Sequence, residues 1–259
     1  MKVPDIRPAR RNPIDLRTIK QHIRHYYSRL FASGRTAPSA LPIRSGRPLA
    51  VDLGYPEDFL ELIPDPLWDL FAPCGNPLAS LRCVSSQRVL NLGCGVGVDS
   101  FALGVHCPGM QVVGLDVVWD VLDKAQRWSS AAGYEHAGLL WVCSDGEVLP
   151  FRAQCFDAVV MNGVFNLFPD KQRLLEELRR VLRSHGQLII ADLGATAPLP
   201  DYFAGEPDAW AWCMSGALTA VQLQGLLQET AFEAITLNQE EDGEMFVRMV
   251  VTCRKAEDG

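Results

Sequence analysis

Three short runs in this 259-residue chain have residue types and spacings that could do chemistry. Gly93-Cys94-Gly95-Val96-Gly97 is a glycine loop directly after an apolar run and before a helical one. Such a loop lets the backbone turn sharply and approach a ligand with no side chain in the way. Asp116 closes the next apolar run, where a carboxylate can accept hydrogen bonds from both hydroxyls of a ribose, and Val117 beside it can pack on an adenine face. Asp145-Gly146-Glu147 follows a third run and offers carboxylates to an adenine amino group; Asn162 ends a fourth. Together they point to a nucleoside-bearing cofactor. They do not point to a dinucleotide. The GxGxxG pattern lacks its third glycine, since Val98 stands there, and Asp99 puts a carboxylate where a pyrophosphate would lie.

These residues must be held at the ends of strands, and the chain is patterned accordingly. From residue 87 apolar runs alternate with helical periodicity. Strands are expected at 88–91, 111–116, 139–142, 156–161 and 187–192, and helices at 99–105, 118–132, 170–183 and 218–230. Two last strands are expected at 233–237 and 246–253. This alternation implies an α/β fold with a mostly parallel sheet covered on both faces, and a ligand beyond the carboxyl ends of its strands. Upstream, 14–32 reads as an amphipathic helix. Residues 33–50 read as a linker, 56–62 as a helix, and 67–74 as a segment ending in the turn Cys74-Gly75-Asn76-Pro77. We therefore divide the chain into an N-terminal helical arm and cap (1–85) and a cofactor-binding domain (86–259), with 194–217 as an irregular insertion on the substrate side.

Composition narrows the function classes. The net charge of −7 combines a balance of +9 over residues 1–47 with −16 over the rest. An acidic body makes nucleic acid a poor partner, and the basic arm can pack on that body. No apolar run approaches a membrane span or a secretory segment, so a cytoplasmic protein acting on a small molecule is expected. The eight cysteines are scattered with no CxxC pair, which argues against a disulfide framework or a structural zinc site.

The ordered set L-G-C-G-V-G, strand-end Asp116, D-G-E-V-L-P-F (145–151) and F-D-A-V-V (156–160) resembles the class I methyltransferases over residues 86–193. The resemblance implies S-adenosyl-L-methionine as cofactor. It also implies a Rossmann-like seven-stranded sheet with the last strand antiparallel. The cofactor residues would be Gly93, Cys94, Gly95, Gly97, Asp116, Val117, Asp145, Gly146, Glu147 and Asn162. Four further blocks are similar to the arsenite methyltransferase family over roughly residues 50–235: 54–58 (G-Y-P-E-D), 74–78 (C-G-N-P-L), 166–171 (N-L-F-P-D-K) and 212–219 (W-C-M-S-G-A-L-T). That likeness implies that Cys74 and Cys213 bind trivalent arsenic, in catalytic and substrate-binding roles. It also shows departures. Gly163 stands where the family has a further cysteine, the region around Arg35 has no thiol, and Ala72 replaces a tyrosine.

Arsenic(III) is soft and three-coordinate, so inorganic arsenite held only by protein would use three thiolates, and a species already carrying one carbon needs two. The expectation is a methyltransferase for mono-organo-arsenicals, with Gly163 leaving room for the organic group and no resident metal. Two alternatives stand beside it. The scaffold could be redirected to a thiol, selenol or other small organic acceptor, with Asp192 as base. Or the protein could bind cofactor or arsenical without turnover.

Overall fold

The computed structural model describes residues 15–33, 45–82, 84–134, 138–240 and 244–257. The elements in chain order are α1 (Leu16–Ser33), α2 (Gly46–Asp52), α3 (Glu57–Leu62), α4 (Asp65–Trp68), β1 (Arg88–Leu92), α5 (Val98–His106), β2 (Gln111–Asp116) and α6 (Trp119–Ala131). They continue with β3 (Leu139–Cys143), β4 (Phe156–Asn162), α7 (Lys171–Val181), β5 (Leu182–Ala195), α8 (Pro207–Ala211), α9 (Ala220–Glu229), β6 (Phe232–Gln239) and β7 (Phe246–Lys255). The seven strands form one sheet in the order β3-β2-β1-β4-β5-β7-β6. β1 to β5 pair in parallel, and β7 runs antiparallel between β5 and β6.

Side chains alternate across the strands and so sort onto two faces. Leu90, Leu92, Val159, Met161, Leu188 and Ile190 face the leucines of α7 and α9. Val89, Val112, Val160 and Ile189 face the other way, toward Leu103 of α5. The sheet is thus buried on both sides, which is why its strands read as near-continuous apolar runs. Phe59, Leu60 and Trp68 of the N-terminal helices share one core with Val96, Phe101 and Val121, so the cap and the sheet domain are packed as a unit.

The departures from the expected elements have local causes. Residues 46–50, the end of the expected linker, lie in α2, where the Gly46 amide donates to the Phe71 carbonyl at 2.7 Å and the helix buries Leu49 and Ala50. Residues 34–44 lie outside the described set. The helix expected to run to Arg183 ends at Val181, and β5 is far longer than expected, because β7 pairs with it from Gln187 to Ala195. The 194–217 segment carries a short helix, α8, directly before Cys213. Cys107 is disulfide-bonded, a pairing that the scattered spacing of the cysteines does not announce. Among the described residues no helix is long and apolar enough to cross a membrane.

The glycine loop turns at Gly97, which begins α5 at φ +85°. A Cβ built there would lie 2.4 Å from Trp141 Cη2 and 3.2 Å from Phe101 Cε2. Backbone strain and overpacking therefore act together. Gly97→Ala is expected to lower the unfolding free energy by about 1–3 kcal/mol. A urea midpoint equal to that of the parent chain would contradict this.

Candidate active site

The parallel strands reverse direction of succession between β1 and β4, and their carboxyl ends open onto a cavity of about 280 Å³. This is the crevice in which an open α/β sheet binds its ligand. One wall carries Gly93, Gly95, Asp116, Val117, Asp145 and Gly146; Gly163 and Val164 also line the cavity, as do Lys20, Tyr27 and Phe31 of α1.

Each expected cofactor residue has a definite place. Gly93, Gly95, Asp116, Val117, Asp145 and Gly146 line the cavity; Cys94, Gly97, Glu147 and Asn162 do not. Asp116 accepts from the Gly95 and Val118 amides, both at 3.0 Å, which leaves each carboxylate oxygen further lone pairs for a ligand. Burial raises its pKa, and those amide bonds oppose the rise. The fit to a nucleoside cofactor rests on the cradle itself. A Cβ at Gly95 would meet nothing nearer than Phe31 Cζ at 3.9 Å, so the loop presents bare backbone beside a buried strand-end carboxylate. Cys94 instead packs against Gly114 beneath the loop, with its Sγ 3.0 Å from the position of a Gly114 Cβ. Glu147 is buried and ion-paired with Lys20 of α1.

Asn162 links the sheet to the first cysteine. Its Oδ1 accepts from the Cys74 amide at 2.9 Å. Its Nδ2 faces the Tyr55 hydroxyl at 3.1 Å, the Gly75 carbonyl at 3.1 Å and Asp99 Oδ2 at 3.0 Å. Tyr55 in turn donates to Asp99 Oδ1 at 2.7 Å. Desolvation raises the Asp99 pKa to about 6 despite these bonds.

Cys74 and Cys213, 139 positions apart in sequence, meet around Gly163. A Cβ on Gly163 would lie 3.4 Å from Cys74 Sγ, and Cys213 Sγ donates to the Gly163 carbonyl at 3.4 Å. Cys213 itself has φ +59°, a region that costs a non-glycine residue about 1–3 kcal/mol. The turn after α8 holds it there: its amide donates to the Trp210 carbonyl, and those of Met214 and Ser215 to the Ala209 carbonyl. Burial pushes both thiols well above the usual cysteine range, and the facing Asp192 carboxylate pushes them further.

Asp192, in the carboxyl-terminal part of β5, accepts from the Asn166 amide and Nδ2, both at 3.0 Å, and from the Leu193 amide at 2.7 Å. Desolvation raises its pKa to about 6. Lys171 lies opposite, donating to the Phe168 carbonyl at 2.9 Å between the Phe165 and Trp210 rings. Burial lowers its pKa to about 8, against the opposing pull of Asp192 and Cys213. Lys171 was not singled out from the sequence. Its signal was a lysine on the apolar stripe of α7, in phase with Leu174, Leu175 and Leu178. Tyr27, whose hydroxyl donates to the Ala211 carbonyl at 3.0 Å, was read only as part of an apolar helix face.

Fold and glycine loop together are those of the class I S-adenosylmethionine-dependent methyltransferases. The chain belongs to the methyltransferase-domain family, which it matches over residues 84–247. It is 33% identical over 198 residues to an arsenite methyltransferase of Halobacterium salinarum, covering 75% of this chain and 49% of the relative. To an arsenite methyltransferase of Mus musculus it is 24% identical, covering 84% of this chain and 59% of the relative. The chain thus spans about half the length of these curated relatives. Among solved structures, an arsenic(III) S-adenosylmethionine methyltransferase from Chlamydomonas reinhardtii superposes with a TM-score of 0.63. It is 23% identical, and the match covers 83% of this chain and 74% of that one; at that identity it attests the fold.

The buried acid and amine make stability depend on pH in opposite windows. Between 3.8, the ordinary value for Asp192, and about 6, the folded chain keeps a proton that the unfolded chain has lost. Stability therefore falls as pH rises through that window. For Lys171 the folded value is about 8 against an ordinary 10.5, so stability falls as pH drops through that range. Asp192→Asn is expected to flatten the loss of unfolding free energy between pH 4 and 6, leaving the shares due to Asp99 and Asp116. An unchanged slope in urea titrations would show that Asp192 is not the buried acid described.

Proposed function

We propose that this chain methylates trivalent arsenicals, and that its preferred acceptor already carries one organic group and is held by the Cys74 and Cys213 thiolates. The observation that carries this reading is the convergence of the half-buried Cys74 thiol and the buried Cys213 thiol on Gly163, which lines the cavity where the two cysteines themselves do not. The likeness to arsenite methyltransferases in the halobacterial and mouse proteins supports it.

Capture of the acceptor balances without an external reagent. An organoarsenous acid, R–As(OH)2, forms two As–S bonds with two thiols and releases two waters, the thiol protons leaving with the hydroxyls. Asp192 faces both thiols and can hold a proton in transit, while Lys171 keeps a positive charge beside the carboxylate. Gly163 leaves the third position on arsenic to the organic group, where a side chain would meet Cys74 Sγ. The bound cofactor supplies an electrophilic methyl group on sulfur. A lone pair on arsenic carries no proton, so the chain's task at that stage is orientation and exclusion of water. Asp192 also favours a second reading, a thiol or selenol acceptor that the carboxylate would deprotonate.

Calorimetric titration with methylarsonous acid, phenylarsine oxide and arsenite separates these readings. The mono-organo compounds are expected to bind about tenfold or more tightly than arsenite, and Cys74→Ala/Cys213→Ala to abolish the difference. Gly163→Cys is expected to raise arsenite binding by supplying a third thiol. Preference of the parent chain for arsenite, or full binding by the double variant, would overturn the two-thiolate site. Tritium transfer from labelled cofactor to a panel of acceptors would then show whether a thiol or selenol takes the methyl group.

A further inference from the structure

α1 touches both halves of the site. On the cofactor side, Lys20 lines the cavity and ion-pairs with Glu147 of the turn after β3. The Glu147 side chain is only 2% exposed, and its Oε1 has no hydrogen-bond partner among the described residues. Its charge therefore depends on Lys20, with Arg173 farther off at 3.8 Å. On the acceptor side, the Tyr27 hydroxyl holds the Ala211 carbonyl at 3.0 Å, and Ile19 and Ile23 pack on Trp210. Both of these contacts fall on α8, immediately before Cys213. Of its eighteen residues α1 buries Ile19, Ile23 and Phe31, so it is held along one face while the other lies in solvent.

We infer that Lys20 is a positioning residue that clamps α1 across the cavity, and that α1 couples occupancy of the cofactor loop to the α8–Cys213 segment, so that cofactor and acceptor bind cooperatively. Seating either ligand orders a helix that the other ligand also needs, and the second to bind meets a smaller ordering cost. The coupling is reciprocal by thermodynamic necessity. The inference rests on the reading of Cys213 as an acceptor ligand.

The test measures the affinity of S-adenosylhomocysteine for the parent chain, Lys20→Met and Lys20→Arg, each with and without saturating phenylarsine oxide. The oxide is expected to tighten cofactor-product binding about fivefold or more in the parent chain and in Lys20→Arg, and to leave it nearly unchanged in Lys20→Met. Absence of tightening in the parent chain, or full tightening in Lys20→Met, overturns the inference. Failure of the oxide to bind at all is a failure of the arsenical reading instead. The clamp is then decided by iodoacetamide alkylation of Cys213, followed by peptide mass spectrometry. Saturating S-adenosylhomocysteine is expected to slow alkylation in the parent chain and to lose most of that protection in Lys20→Met. Equal protection in the two overturns it.

Discussion

The acceptor side of this molecule depends on one side-chain amide. Asn162 sits where β4 ends, and its oxygen and nitrogen are both engaged: one by the Cys74 amide, the other by Tyr55, Gly75 and Asp99. Buried polar groups cost free energy unless paired, and a network with one member missing is worse than none. The loop bearing Cys74 therefore has a single low-energy seat, over the sheet and against Ala191 and Val250, which a Cβ on Gly75 would meet within 3.0 Å. Asp99 gains its place in the same way. It stands in the first turn of α5, yet it answers to Tyr55 of the cap and Asn162 of β4, and so ties the cofactor helix to the cysteine loop.

Three buried carboxylates divide the work by their partners. Asp116 is held by the backbone amides of Gly95 and Val118, Asp99 by the side chains of Tyr55 in the cap and Asn162 in β4, and Asp192 by the Asn166 turn, with Lys171 opposite. All three have their pKa raised by burial. Asp192 faces the Cys74 and Cys213 thiols and has the buried Lys171 ammonium nearby, whereas Asp116 and Asp99 act on the Cys94 thiol. The same residue type is thus set in three different electrostatic surroundings, a glycine loop, a hydrogen-bonded tie between cap and sheet, and a pair of thiols facing an ammonium.

The sequence disclosed what depends on local pattern. Strand-end carboxylates, the glycine loop and the order of elements follow from periodicity within a few residues, and the fold they imply is the fold observed. What it did not disclose depends on contacts distant in the chain. Asn162 ends a strand as many cofactor residues do, and its link to Cys74 across 88 positions has no local mark. Glu147 lies in a cofactor-like turn, but its charge is answered by Lys20, 127 positions earlier. α2 forms in a stretch rich in glycine and proline because the Gly46 amide finds the Phe71 carbonyl.

Gly163 shows how a lost ligand can define a site as sharply as a retained one. Its φ of +66° is a region any side chain enters at a cost, and its amide donates to the Ala191 carbonyl at 2.8 Å. The backbone at this position is thus fixed by strand pairing whatever the residue. A cysteine here would carry strain and would bring a third sulfur toward Cys74. Glycine removes both, and the space it leaves opens toward the cavity that α1 covers. Under the proposed function, two sulfurs set the arsenic and the glycine sets its third substituent. Acceptor selectivity then resides in the absence of a side chain, at the point where the cofactor cavity meets the thiols.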